Sequence, residues 1–167
     1  MIRLGKVTIN IGVGTAGEPL EKAERLLEKL CGQKPVRTTS RKRIPTWGIR
    51  KKQAIGVKVT LRGKKALEFV NQAVEAKERT LRPKQFDANG NFAFGISEYI
   101  DVPGFKYDPE IGIYGFDVCV TLEKSGYRIS KRKRKKKKVP PSHKLTKEEA
   151  IEWVQKNLNI KVTEDAE

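Results

Sequence analysis

Six residues, Gly12-Val13-Gly14-Thr15-Ala16-Gly17, stand between a strand-like run and a helix-like one. Loops that cradle a dinucleotide pyrophosphate occur in that order, and the chemistry would then be hydride transfer. The flanks argue against it. A buried parallel strand is apolar on both faces, whereas Lys6, Thr8 and Asn10 alternate with Val7, Ile9 and Ile11. A pyrophosphate needs the positive end of a helix, and Glu18 sits there. The acid expected about twenty residues on is missing, and Arg37 to Arg43 is basic instead. That charge suits a 2′-phosphate, so an NADP-binding enzyme stands as the alternative reading. No second βαβαβ half follows to complete it.

Other reactive types are sparse. His143 is the single histidine and lies near the C-terminal end, so no Ser-His-Asp arrangement can be framed around it. Cys31 and Cys119 are far apart and lack CxxC or histidine companions. That pattern suits neither a zinc site nor a secreted disulfide scaffold, and it reads as a reducing cytoplasm. Asp87, Glu98, Asp101, Asp108 and Asp117 are scattered, as loop caps are rather than paired acid and base groups. No catalytic residue, metal site or cofactor is expected. The N-terminus MIRLGKVTIN has no apolar core of a signal peptide. No apolar run approaches the roughly 20 residues of a membrane span, so no membrane partner is expected.

The elements that must position any site follow from periodicity. Val7, Ile9, Ile11 and Val13 predict a half-exposed strand. Leu20, Ala23, Leu26, Leu27 and Leu30 predict a helix, with Pro19 in its first turn and Gly32 just past its end. Residues 35–43, PVRTTSRKR, read as a short strand breaking into a basic loop, and Ile44 to Gln53 as an exposed loop. Ile55, Val57, Val59 and Leu61 predict the clearest strand. A helix should follow, with Ala66, Leu67, Val70, Ala73 and Val74 on one stripe. An Asn89-Gly90 turn leads into Phe92, Phe94 and Ile96. A last strand carries Phe116, Val118, Val120 and Leu122. Lys131 to Lys138 is a run of eight basic residues, too self-repelling to pack a core and expected to be a flexible arm when free. Thr146 and Glu149 form a capping box ahead of Ala150, Ile151, Val154 and Leu158. The expected fold is α+β: a mostly antiparallel sheet, helices packed on one face, the polar face free, and a basic C-terminal extension ending in a helix. The expected division is 1–126 for the α+β domain and 127–167 for the extension.

Charge supplies the functional signal. The 167-residue chain carries a net charge of +16, a field that suits a binder of phosphate backbones. Lys29 to Leu67 holds thirteen Lys and Arg residues and no Asp or Glu. A merely solvated surface intersperses the signs, so these cations are expected to seek a polyanion rather than fold back on the chain. Thr38, Thr39 and Ser40 among them suit phosphate and 2′-hydroxyl contacts. Trp47 and Ile49 lie beside Arg50 and Lys51, where an indole can stack on a base. No helix-turn-helix, finger or basic zipper appears. Shaped RNA is therefore preferred, with a general nucleic-acid-binding protein as a further alternative.

The segments KVTINIGVG, LEKLCGQKPVRTTSRKR, GIRKKQAIGVKVTLRG, GNFAFGISEYID and YDPEIGIYGFDVCV follow one another here. Their order resembles the large-subunit ribosomal protein family called L five, L eleven in eukaryotes. LCGQKPVRTTSRK is similar to that family's signature, and the likeness runs from Lys6 to about Glu123. RKRKKKK and SHKLTKEEAIEW are similar to the C-terminal extension of archaeal and eukaryotic members, so the chain resembles an archaeal one. The resemblance implies a cytoplasmic ribosome and the central protuberance of the large subunit. Its implied partners are 5S rRNA, 23S rRNA, the peptidyl-site tRNA and neighbouring ribosomal proteins, including a small-subunit bridge protein. Carried over, Asn10, Gly12, Gln33, Lys34, Arg37, Thr38, Thr39, Ser40, Arg41, Lys42 and Arg43 would face 5S rRNA. Trp47, Gly48, Arg50, Lys51 and Lys52 would form the loop that reaches the tRNA, with Trp47 standing where the family usually has Phe.

Overall fold

The structure, a computed structural model, describes residues 1–163; the last four residues of the expected extension lie outside the described residues. The first strand, β1 (Ile2–Gly12), buries Val7, Ile9 and Ile11 and leaves Thr8, Asn10 and Gly12 half-buried or exposed. That period of two sends alternate side chains to opposite faces. Helix α1 (Glu18–Cys31) buries Leu20, Ala23, Leu26, Leu27, Leu30 and Cys31. Glu18 and Glu21 in its first turn and Lys29 in its last complement the helix dipole. Gly17 caps it at φ 100°, a conformation a side chain rarely tolerates. The helix stops at Gly32, whose N–H reaches the Glu28 carbonyl at 2.9 Å.

Strands β2 (Val36–Thr39) and β3 (Ala54–Leu61) pair antiparallel. Helix α2 (Lys64–Glu75) buries Ala66, Phe69, Val70, Ala73 and Val74. Leu67, expected in that stripe, is 42% exposed. It lies at the stripe's edge, and Phe69 on the opposite edge supplies the larger apolar surface. Strands β4 (Thr80–Leu81), β5 (Phe92–Ile96) and β6 (Phe116–Lys124) follow. A short helical turn, α3 (Arg128–Lys131), precedes α4 (Lys147–Leu158), and β7 (Lys161–Val162) ends the described chain. The Thr146 hydroxyl accepts from the Glu149 N–H at 3.4 Å, and the Glu149 carboxylate accepts from the Thr146 N–H at 3.1 Å. The predicted capping box is thus in place.

The main sheet has five strands in the order β2-β3-β1-β6-β5 and is mostly antiparallel, so the architecture is α+β. A second sheet joins β4 and β7 in parallel. Periodicity could not have found it, because two residues carry no period.

The chain forms two compact units. One comprises Met1–Val7, Arg62–Phe94 and the chain from Cys119 onward. Here Ala150, Val154 and Leu158 of α4 are buried. The segment after β6 turns back over the strand face that the sequence leaves free. Lys6, Thr121, Glu123, Tyr127, Lys131 and Lys144 line the resulting cleft. The other unit comprises Thr8–Leu61 and Gly95–Val118. In it α1 packs against β3. Ile9, Ile11, Val57, Val59, Ile96 and Val118 are buried. Thr8, Asn10, Gly12, Lys58, Gly95 and Asp117 alternate with them and stay half-buried or exposed, leaving a free polar face.

Candidate nucleic-acid interface

Every candidate RNA-contacting residue lies in the second unit, between Asn10 and Lys52. Register sorts them by face. Directly opposed residues in an antiparallel pair share a face. Val36 opposes Lys58 and Thr38 opposes Gly56, whereas Arg37 opposes Val57, which is buried on the helix-covered face. Val36 and Thr38 therefore stand on the free face with Lys58. The approach there is close: a Cβ at Gly56 would lie 2.8 Å from the Ile11 carbonyl oxygen and 2.9 Å from Thr38 Oγ1. Glycine lets the Thr38 hydroxyl lean across β3 towards β1. Gly12 contrasts with it, since a Cβ there would meet nothing within 4 Å. Asn10 and Gly12 line an open hollow with Gly95, Ser97, Gly115 and Asp117.

Arg37 points to the other side. Its Nε and Nη2 donate to Glu24 Oε2 at 2.9 and 2.7 Å. Lys29 likewise donates to Asp108 at 2.5 Å. The Lys29 ammonium, and then the Glu110 N–H, hold the Asp108 carboxyl below its ordinary range, and Asp108 in turn raises Lys29. Two of the thirteen cations thus fold back onto acids from outside the acid-free segment, contrary to expectation. Those acids are near in space and remote in sequence.

Gln33 and Lys34 are exposed just past the C-terminus of α1. Thr39 is exposed, but Ser40 is buried. The Ser40 hydroxyl donates to the Lys42 carbonyl at 2.6 Å. Its own N–H reaches the Gln53 carbonyl at 2.8 Å, and its carbonyl accepts from the Lys52 N–H at 2.8 Å. Ser40 therefore shapes the turn. Arg41, Lys42 and Arg43 are exposed, with no acid partner among the described residues.

The predicted exposed loop is a pinned one. Ile44 and Ile49 exchange backbone hydrogen bonds at 2.9 and 3.0 Å. A 3-10 turn, Pro45–Trp47, and Gly48 in a left-handed conformation close the tip. Ile49 is 6% exposed and Trp47 is 71% exposed, so the loop turns its isoleucine inward and its indole outward. The pattern Ile-Pro-x-x-Gly-Ile was a usable signal for this. Arg50, Lys51 and Lys52 are exposed beyond the bridge. The Arg50 N–H donates to Gln53 Oε1 at 2.8 Å, which steadies that corner.

The other chemistries find no support. Glu18 at the α1 N-terminus pairs with Lys22 at 2.8 Å and keeps its charge, since Lys22 lowers its pKa. Anionic phosphate would meet that carboxylate. Burial pushes the Cys31 thiol up to about 12, far from a reactive thiolate. His143 Nε2 lies 2.7 Å from the Ser125 carbonyl oxygen, a structural bond. Among the described residues no group of three His, Cys, Asp or Glu side chains can hold a metal ion. No helix among them is long and apolar enough to cross a membrane.

Residues 1–50 match the family described as Ribosomal protein L5, and residues 54–161 match the C-terminus of the same ribosomal family. The chain is 51% identical over 166 residues to the large ribosomal subunit protein uL5 of Methanococcus maripaludis, covering 98% of this chain and 92% of that protein. It is 50% identical to the protein of the same name from Sulfurisphaera tokodaii, covering 98% and 93%. The protein from Methanosphaera stadtmanae is also 50% identical, with 95% of each chain covered.

Proposed function

The chain belongs to the ribosomal protein L5 family, a non-enzymatic component of the large ribosomal subunit, and from that premise we propose that it binds 5S rRNA through the face and loops just described. One observation carries the reading. Arg41, Lys42, Arg43, Arg50, Lys51 and Lys52 project, without acid partners among the described residues, from one segment pinned by Ser40 and the Ile44–Ile49 bridge. Fixed cations lose less freedom on meeting phosphates than mobile ones do.

Within this reading Thr38, Thr39, Asn10 and Gly12 receive the 5S rRNA backbone, with Gln33 and Lys34 at its margin. Asp117 repels phosphate from the β6 side of the hollow, so the RNA approaches from the β1 and β2 side. Arg37 contributes by holding β2 to α1 through Glu24, and Ser40 by shaping the turn. The tip from Trp47 to Lys52 reaches the peptidyl-site tRNA, where the exposed indole is free to stack on a base or ribose. Contacts with 23S rRNA and a bridge to a small-subunit protein belong to the same proposal. We assign residues 1–126 to RNA binding and 127–167 to a basic extension.

Filter binding separates the two loops. Arg41→Ala with Arg43→Ala should weaken 5S rRNA binding. Arg50→Ala with Lys51→Ala should spare it and disturb peptidyl-site tRNA on assembled ribosomes. Equal losses of 5S rRNA affinity from both pairs would contradict the division. Competition by duplex DNA on equal terms with 5S rRNA would favour a general nucleic-acid binder instead.

A further inference from the structure

The run Lys131–Lys138 lies in the other unit and is a closed loop, held at both ends. Glu123 on β6 holds its start. Its neighbours on that strand face are Asp117, Cys119 and Thr121, all exposed or half-buried, yet Glu123 is 6% exposed. A buried carboxylate is costly unless paired, and Lys131 Nζ, the first cation of the run, pairs with it. Gly5 makes the space: a Cβ there would lie 2.6 Å from Glu123 Cδ.

The far end is tied back beside the same strand. The Leu145 N–H donates to the Tyr127 hydroxyl at 2.7 Å, and Lys124 Nζ donates to the Lys144 carbonyl at 3.3 Å. His143 reaches the Ser125 carbonyl, and the Leu145 side chain is buried. Between these anchors the Lys137 N–H donates to the Ile129 carbonyl at 3.2 Å, and Arg132 Nε donates to the Lys135 carbonyl at 2.8 Å. Residues 132–138 are all exposed, and none has an acid partner among the described residues.

We propose that this anchored loop is a second phosphate-binding surface, separate from the 5S rRNA face, that grips the backbone of an RNA helix without reading its sequence. Seven successive cations with no acid between them suit a row of phosphates, and an A-form RNA helix keeps its base edges in a major groove too deep and narrow for side chains to read. The Glu123–Lys131 pair, admitted by Gly5, positions the loop. Only the class of partner, RNA, rests on the function proposed above.

The test measures the salt dependence of binding by the full chain to two probes: a 20-base-pair RNA duplex of arbitrary sequence, and 5S rRNA. Replacing Arg132→Gln, Lys133→Gln and Arg134→Gln together should flatten the duplex slope by roughly 0.9 for each phosphate no longer neutralised. A duplex slope unchanged by the triple variant overturns the surface. Glu123→Gln separates anchoring from charge. It makes the chain more positive, so charge alone would tighten duplex binding, whereas loss of the anchor should weaken it several-fold. Tightening overturns the anchoring role. The two readings fail separately. Should the natural chain show no preference for 5S rRNA over the duplex, the 5S rRNA reading falls, and the loop is still judged by its duplex slope.

Discussion

Gly12 and Gly56 occupy neighbouring strands and are glycines for different reasons. Gly56 is demanded from within, because a methyl group there would press on the Ile11 carbonyl and the Thr38 hydroxyl. Backbone cannot give way as a flexible side chain can. Gly56→Ala should therefore cost about 1–3 kcal/mol of stability, read as a lower midpoint in urea. Nothing inside the protein constrains Gly12. Gly12→Ala should leave stability within about 0.5 kcal/mol while weakening 5S rRNA binding, because on the proposed reading the RNA backbone enters that free space. Full 5S rRNA affinity in Gly12→Ala would remove close approach from the account.

Titration adds a second test at this scale. The folded-state pKa of Asp108 lies below its ordinary value because Lys29 and the Glu110 N–H bind the charged form. Its contribution is complete above the ordinary carboxylate range and is lost as pH falls through the lowered value. The natural chain should accordingly lose stability on acidification more steeply than Asp108→Asn does, in urea melts compared between neutral and acid pH. Parallel pH profiles would show that the pair contributes nothing. Alternation in the sequence revealed the free-face position of Asn10. It gave no hint that Arg37 would turn to Glu24, or that Ser40 would be buried by bonds to residues 52 and 53, because those partners come from other elements.

At the scale of elements, long periodic runs were readable and short or pinned ones were not. The bounds of α1 follow from Pro19, five apolar residues at helical spacing and Gly32. Strand β3 follows from four alternating apolar residues. The two-residue strands β4 and β7 carry no pattern. The loop from Ile44 to Gln53 looked wholly exposed because its Pro, Gly and charges outweigh one isoleucine in any local reading. Its bridge makes a prediction about which residue holds the shape. Ile49→Ala should destabilise the chain by about 2–4 kcal/mol and weaken the proposed tRNA contact through loss of loop shape. Trp47→Ala should change stability by less than about 0.5 kcal/mol, since the indole is mostly in solvent. Urea midpoints decide this, and equal destabilisation by the two would contradict an inward Ile49 and an outward Trp47.

For the whole molecule the decisive quantity is where the charge goes. Composition already pointed to a polyanion, but it could not sort the cations. The structure assigns Arg37 and Lys29 to ion pairs beside α1, leaves Arg41–Arg43 and Arg50–Lys52 on pinned loops of one unit with no acid partner among the described residues, and closes Lys131–Lys138 into a loop of the other. Chain folding thus gathers a diffuse +16 into a cationic surface within each unit. This sorting depends on partners supplied by other elements, Glu24, Asp108 and Glu123, which is why it was illegible in the sequence. The most direct test is the slope of log affinity for 5S rRNA against log salt, compared between the natural chain and Arg41→Ala with Arg43→Ala. The account expects a steep slope that flattens by roughly 0.7–0.9 for each phosphate the variant leaves unneutralised; a slope identical in both proteins would contradict it.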